Sequence, residues 1–237
     1  MGSSGHGVRL PFTDRAEAGR VLAGRVASLG LTDPVVLALP RGGVPVAHEV
    51  ADRLGVPFDV LVTRKIGCPG QPELGVGAIA EGGEPVLDAG LLRQLGLTER
   101  DLDSTARRER AELARRVTTY RGGRALPQVS GRDVVVVDDG LATGGTARAA
   151  LAAVRAEGAS RVVLAVPVGA AQTVLEISGD ADDVVVLAAP SVFRAVGQWY
   201  QHFEQLTDAD VLELLSERAD VTDRAQVTDK DKSRKPR

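Results

Sequence analysis

The chain has 237 residues, of which 43% are hydrophobic and 26% charged, as in an ordinary globular protein. Its formal net charge of −3 gives no general attraction to nucleic acid or to anionic membranes, and no segment has the ~20 consecutive apolar residues of a membrane span. The single cysteine, Cys68, excludes an intrachain disulfide and favours a reducing, cytoplasmic location.

The first sixty residues alternate between helical and strand patterns. Residues 1–11 are expected to form a flexible lead. Apolar residues at helical spacing predict a helix over 14–29, and a short apolar run predicts a buried strand at 35–39. A second helix is expected to end before Gly55, and residues 58–63 have the composition of another strand.

The middle of the chain has weaker signals. Residues 66–82 are rich in Gly and Pro, which predicts a loop or a short hairpin with residues 76–80 as one arm. Thr98 is expected to cap a long helix that reaches about Tyr120. Most of that helix is Arg and Glu, typical of a solvated face with i,i+4 pairs.

The second half predicts a parallel sheet. Residues 134–137 are four consecutive valines, the strongest strand signal in the chain, and a helix is expected over 147–157. Strands are predicted again at 162–166 and 184–187, with a helix between them. This alternation indicates an α/β fold with a mostly parallel sheet flanked by helices, in which ligands bind beyond the carboxyl ends of the strands.

After Pro190 the pattern changes. Phe193, Trp199, Tyr200 and Phe203 form an aromatic cluster, and a last amphipathic helix is expected over 207–218. Residues 219–237 are polar and charged, and we expect this tail to be disordered.

The valine strand runs directly into Asp138 and Asp139. Two adjacent carboxylates repel and raise each other's pKa, so they require a reason to be together. The vicinal hydroxyls of a ribose, or a metal ion, would supply one.

A small, hydroxylated loop follows from Ala142 to Thr146. Gly144 and Gly145 allow backbone N–H groups to converge where a helix begins, and Thr143 and Thr146 add hydroxyl donors, an arrangement suited to a phosphate dianion. The alternative is an ordinary turn in which Gly and Thr cap the helix and the aspartates are solvated. The loop is not a Walker loop, since no Lys follows its glycines, and it lacks GxGxxG spacing.

Residues 134–146 resemble the motif that binds 5-phosphoribosyl-1-pyrophosphate (PRPP) in type I phosphoribosyltransferases, and residues 141–146 look most like the adenine phosphoribosyltransferases. The resemblance implies a phosphoribosyltransferase domain over 12–218, with a mobile loop at about 66–82 and a small C-terminal hood at about 190–206. It also implies Mg²⁺ as cofactor, PRPP and a small nitrogenous acceptor as ligands, and a homodimer.

The resemblance assigns roles to individual residues. The loop after the first strand, with Arg41, Gly42 and Gly43, would grip pyrophosphate and is expected to contain a non-proline cis peptide near Pro40–Arg41. The implied PRPP-binding residues are Asp138, Asp139, Ala142, Thr143, Gly144, Gly145, Thr146, Arg41, Gly42, Gly43, Arg64 and Lys65. Of these, Asp138, Asp139, Arg41 and Lys65 would act in catalysis, with the two aspartates near the metal through ribose or water. Surface roles for Arg41, Arg64 and Lys65 are the alternative.

The acceptor is less well defined. Phe193 or Trp199 would stack on a flat base, or the aromatic cluster would instead pack a satellite core. Ala142 stands where hypoxanthine–guanine enzymes carry an acid, which disfavours that class. We expect transfer of the phosphoribosyl group to a nitrogen of a nucleobase or related heterocycle, the alternative being a non-catalytic PRPP-binding regulator. A nucleic-acid partner is not expected, and a phosphosugar hydrolase or kinase would require a different phosphate loop.

Overall fold

The computed structural model describes residues 8–217. The helices are α1 (Arg15–Ala27), α2 (Gly43–Leu54), α3 (Ala89–Leu95), α4 (Asp103–Arg121), α5 (Gly145–Ala156), α6 (Ala171–Ile177) and α7 (208–217). The strands are β1 (Val35–Ala38), β2 (Phe58–Val60), β3 (Thr63–Cys68), β4 (Gln71–Ala80), β5 (Val86–Leu87), β6 (Asp133–Val137), β7 (Arg161–Val168) and β8 (Asp183–Ala188). Short 3₁₀ turns cover Glu99–Leu102 and Val196–Trp199.

The main sheet is parallel and has the strand order β2-β1-β6-β7-β8. Its central strand, β6, is buried along its whole length, and its residues alternate between two hydrophobic clusters. Val135 and Val137 pack on the side of α1 and α2, whereas Val134 and Val136 pack on the side of α5. The predicted fold class is therefore confirmed, and the carboxyl end of β6 lies in the middle of the sheet edge.

A second, antiparallel sheet is formed by β3, β4 and β5. The prediction of one strand over 58–63 is wrong, because the chain leaves the main sheet after β2 and enters the second sheet at Thr63. Leu61 and Val62, which connect the two sheets along the chain, are fully buried. A continuous apolar run does not reveal such a change of sheet, since both surroundings are apolar.

Residues 66–82 lie mainly in the β3–β4 hairpin, so the hairpin alternative holds and residues 76–80 belong to β4. The predicted helix start at Thr98 is displaced: Thr98 caps a 3₁₀ turn, and α4 begins at Asp103. The sequence pattern did not predict α3, which is short and capped by Asp88.

Both ends of the described region pack against the body. Val8 and Leu10, from the segment expected to be a flexible lead, contact an aromatic cluster that contains Phe12 and Tyr200. Val211 and Leu215 of α7 are buried in the main core. Residues 1–7, Arg218 and the predicted tail at 219–237 lie outside the described residues. Among residues 8–217, no helix has the length and apolar composition that crossing a bilayer requires.

A buried ion cluster joins the two sheets to α4. The Arg121 side chain is fully buried at the end of α4 and donates to Glu81, which follows β4. Burial raises the pKa of Glu81 and that of Asp59 in β2 above their ordinary values, and the Arg121 charge opposes both shifts. Within the described part of the chain, Nε and Nη1 of Arg121 have no acceptor. Arg121 is therefore the counter-charge for two desolvated carboxyl groups.

Arg121→Met should destabilise the fold by about 3–5 kcal/mol, because it leaves buried carboxyl groups without their cation. Arg110→Met on the same helix is the matched control. Because its partner Glu84 is exposed, this variant should lose less than about 1 kcal/mol of folding stability. Urea unfolding of both variants measures these losses. Similar losses for the two variants would contradict this account of Arg121.

Candidate functional site

Asp138 and Asp139 leave the end of β6 side by side. Asp139 is 9% exposed, and the Asp138 carboxylate accepts the Asp139 N–H at 2.8 Å. Burial, and secondly the Asp139 charge, raises the pKa of Asp138 well above its ordinary value. Burial also raises the pKa of Asp139, although its bond with Arg15 opposes that shift. The pair is thus desolvated, as a binding site for polar ligand groups requires, and is not a solvated turn.

Arg15, which the sequence did not single out, contacts this pair. Its Nε donates to Oδ2 of Asp139 at 2.8 Å, and both side chains are nearly buried. The Asp139 carbonyl accepts the Tyr200 hydroxyl at 2.6 Å. These partners lie far from Asp139 in sequence, and no local pattern indicates them.

The loop between β1 and α2 approaches the aspartates closely. A Cβ added at Gly42 would clash with the Asp139 carboxylate, and one at Gly43 would lie 2.5 Å from the Val137 carbonyl oxygen. Glycine at both positions is therefore required for the backbone to come this near. The expected non-proline cis peptide is present between Pro40 and Arg41.

The loop from Ala142 to Thr146 offers free N–H groups. Within residues 8–217, the amides of residues 142–146 have no protein acceptor. Gly144 has a φ of 77°, and α5 begins at Gly145, so the helix N-terminus adds its positive end. The Ala142 carbonyl, by contrast, is held by the Thr173 hydroxyl at 2.6 Å. Free amides that converge at a helix N-terminus are suited to an anion, and we call this loop the cradle.

A cavity of about 400 Å³ borders this loop. Thr143, Gly145 and Thr146 of the loop line it together with residues of the second sheet, among them Lys65, which is half exposed. The Lys65 ammonium donates to the Glu73 carbonyl at 3.1 Å. The loop and the Lys65 side chain therefore border the same cavity.

Arg64 does not line this cavity. Adjacent residues of a strand point to opposite faces, and Arg64 forms an ion pair with Glu109 of α4 at 2.7 Å. Both residues lie on β3 of the second sheet, and not after the end of a main-sheet strand at 58–63, where the sequence placed them. Of the two residues, only Lys65 lines the cavity.

Arg41 is partly exposed and has no ion-pair partner among the described side chains. It lies close enough to the end of α4 to act on Tyr120. Burial, together with a 2.6 Å bond to Asp208, raises the pKa of Tyr120 to about 12, and the charges of Arg116 and Arg41 oppose this shift. Arg41 is therefore available for an anionic ligand.

The aromatic cluster lies beside the acid pair. A Cβ at Gly140 would clash with Val196, so the 3₁₀ turn at Val196–Trp199 rests on the chain that follows the aspartates. Phe193 and Trp199 stack with centroids 6.1 Å apart and pack on a satellite core around Phe12. The packing alternative is thus observed, and both rings keep a partly exposed surface.

The acid pair fits a divalent cation that is shared with a ligand. Apart from the Asp139 N–H, no described residue donates to the Asp138 carboxylate, whose remaining lone pairs are free. The described residues contain no cluster of three or more His, Cys, Asp or Glu suited to a metal. Mg²⁺ is commonly held by one or two carboxylates together with substrate phosphates, which matches this donor set.

Comparison with known proteins gives the family. Residues 15–198 match the family described as "Phosphoribosyl transferase domain". The chain belongs to this family, and its fold is that of the type I phosphoribosyltransferases, as the loop sequence predicted.

The named relatives agree. The chain is 50% identical over 204 residues to a protein that is called "Putative phosphoribosyl transferase" in Mycobacterium tuberculosis strains CDC 1551 and H37Rv. The match covers 86% of this chain and 46% of the relative, so the chain spans about half the relative's length. The crystal structure of TT1426 from Thermus thermophilus shares 48% identity, with a TM-score of 0.75, over 87% of this chain and 98% of that one.

Asp138→Asn should stabilise the folded protein by about 0.5–2 kcal/mol at pH 8. The pKa of folded Asp138 is raised, so stability falls as the pH rises from the ordinary aspartate pKa to the raised one. The Asn amide does not ionise, so the variant avoids this loss of stability. Its gain in stability over the parent should vanish near pH 4. Thermal unfolding across this range measures it, and a variant that is less stable than the parent at pH 8 would contradict the assignment.

Proposed function

We propose that this protein transfers the 5-phosphoribosyl group of PRPP to a nitrogen of a nucleobase or related heterocycle and releases pyrophosphate. The observation that carries the proposal is the set of free amides at 142–146 beside the desolvated Asp138–Asp139 pair. A sugar phosphate needs both: an anion cradle for its phosphate and acceptors for its hydroxyls.

The 5′-phosphate lies in the loop from Ala142 to Thr146, where the amides and threonine hydroxyls donate to its oxygens. Asp138 and Asp139 accept the ribose hydroxyls and fix the sugar in one orientation. Their burial strengthens these hydrogen bonds, because little water competes for the carboxylates. Anchoring both ends of the sugar holds C1 in line for attack.

In the reaction, the acceptor nitrogen forms a bond to C1 as the bond from C1 to the pyrophosphate oxygen breaks. Pyrophosphate leaves with the bonding electrons, and the acceptor nitrogen then loses its proton. Arg41 and Lys65 neutralise the departing charge, and Gly42 and Gly43 let the backbone approach it. Mg²⁺, when bound with PRPP near Asp138 and Asp139, supplies further charge stabilisation to pyrophosphate.

The acceptor lies against the hood, with Phe193 or Trp199 beneath a flat ring. Their partly exposed faces and the contact of Val196 with Gly140 support this placement. Ala142 supplies no carboxylate, so proton release from the acceptor goes to water or to the ligand itself.

A turnover screen tests the proposal. The protein is incubated with PRPP, Mg²⁺ and a panel of purine and pyrimidine bases, and pyrophosphate release is measured. We expect release with one base or a narrow group of bases. The Asp138→Asn/Asp139→Asn double variant, in which the ribose acceptors are neutralised, is the negative control. PRPP binding without turnover on any base would contradict transferase activity and favour a PRPP-binding regulator.

Gly145→Ala should weaken PRPP binding roughly tenfold or more without loss of stability. A Cβ at Gly145 meets no protein atom within 4 Å, so the fold accepts it, yet Gly145 lines the cavity beside the cradle. Titration calorimetry gives the affinity and thermal unfolding gives the stability. Gly24→Ala, where a Cβ also meets nothing, is the matched control. Equal affinities for the two variants would place the phosphate elsewhere.

A further inference from the structure

Asp138 and Asp139 have the same chemistry but different partners. Asp139 has a cation, Arg15, at 2.8 Å. Asp138 has no ion-pair partner among the described residues, and its carboxylate accepts only the N–H of Asp139. The two carboxylates are therefore not equivalent before any ligand arrives.

Arg15 reaches Asp139 from the first turn of α1 and is itself held on two other sides. Its Nη1 donates to the Glu204 carbonyl at 3.1 Å, and its guanidinium carbon lies 3.7 Å from the centroid of the Phe203 ring. A cation over an aromatic ring and a charge-assisted hydrogen bond both favour one fixed orientation. The side chain is nearly buried, so little freedom remains to it.

The contact with Asp139 uses one oxygen. Nε of Arg15 donates to Oδ2, and no described residue other than Asp139 itself donates to Oδ1. Gly42 lies directly against the same carboxylate, so the group is confined between α1 and the loop after β1. One oxygen of Asp139 is thus fixed by the protein, and the other remains available to a ligand.

A carboxylate next to a second carboxylate is repelled by it and would turn away if its cation were removed. Such a turn would move the acceptor that a ribose hydroxyl would meet. Arg15 prevents the turn, because it supplies the compensating charge and a directional donor.

We propose that Arg15 is a positioning residue that holds the Asp139 carboxylate in the orientation that receives a ribose hydroxyl of PRPP. This inference rests on the proposed function. Arg15 touches no substrate in this account and acts through Asp139. Since it also contacts Phe203 and Glu204, it fixes the hood relative to the ribose acceptor.

The test compares Arg15→Gln, Arg15→Lys and the unaltered protein in calorimetric titrations with PRPP and Mg²⁺. Arg15→Gln should bind PRPP roughly 10- to 100-fold more weakly, the usual effect of losing a hydrogen bond to a charged group. Arg15→Lys keeps the charge and should recover most of that loss. Arg20→Gln, on the same helix but with an exposed pair to Glu49, should bind normally.

A double-mutant cycle separates positioning from general stability. In an Asp139→Asn background, Arg15→Gln should change the PRPP affinity by less than about threefold, because the group it orients is gone. A purely structural Arg15 would weaken binding equally in both backgrounds, and that result would overturn the inference. So would an unchanged affinity in Arg15→Gln alone. Failure of the unaltered protein to bind PRPP would instead overturn the proposed function and the inference with it.

Discussion

The site depends on two carboxylates that are held together out of water at the end of β6. Such a pair is unfavourable alone, and among residues 8–217 the fold offsets it with one cation, Arg15, at one of the four oxygens. The compensation is incomplete, because Asp138 has no ion-pair partner among the described residues. In the proposed function, the ribose hydroxyls of PRPP and a nearby divalent cation would complete it. The arrangement that favours ligand binding therefore lowers the stability of the ligand-free protein, which is common where a site receives a polar ligand.

The parts of the site that are contiguous in sequence could be predicted. The valine strand, Asp138, Asp139 and the loop to Thr146 form one local unit, whose order alone indicates strand, acids, anion cradle and helix. The cis peptide after β1, and the role of the glycines that follow it, were predicted from the family resemblance. The alternation of apolar strands and helices was sufficient to predict the main parallel sheet.

The parts that depend on distant contacts could not be predicted. Arg15 and Asp139 are 124 positions apart, and nothing near Arg15 distinguishes it from any arginine at the start of a helix. Arg64 and Lys65 are adjacent, yet their separation onto opposite faces depends on β3 belonging to the second sheet. That change of sheet lies within a continuous apolar segment and has no local signal. Side-chain direction in a strand is fixed by register, which tertiary packing decides.

The central claim is that the amides from Thr143 to Thr146 hold a sugar phosphate. Amide chemical shifts of ¹⁵N-labelled protein, followed during a titration with ribose 5-phosphate, test it most directly. The account predicts that the largest saturable shifts occur at residues 143–146, with smaller ones at Asp138 and Asp139. Saturable binding that leaves these amides unmoved, or shifts confined to another face of the protein, would contradict it.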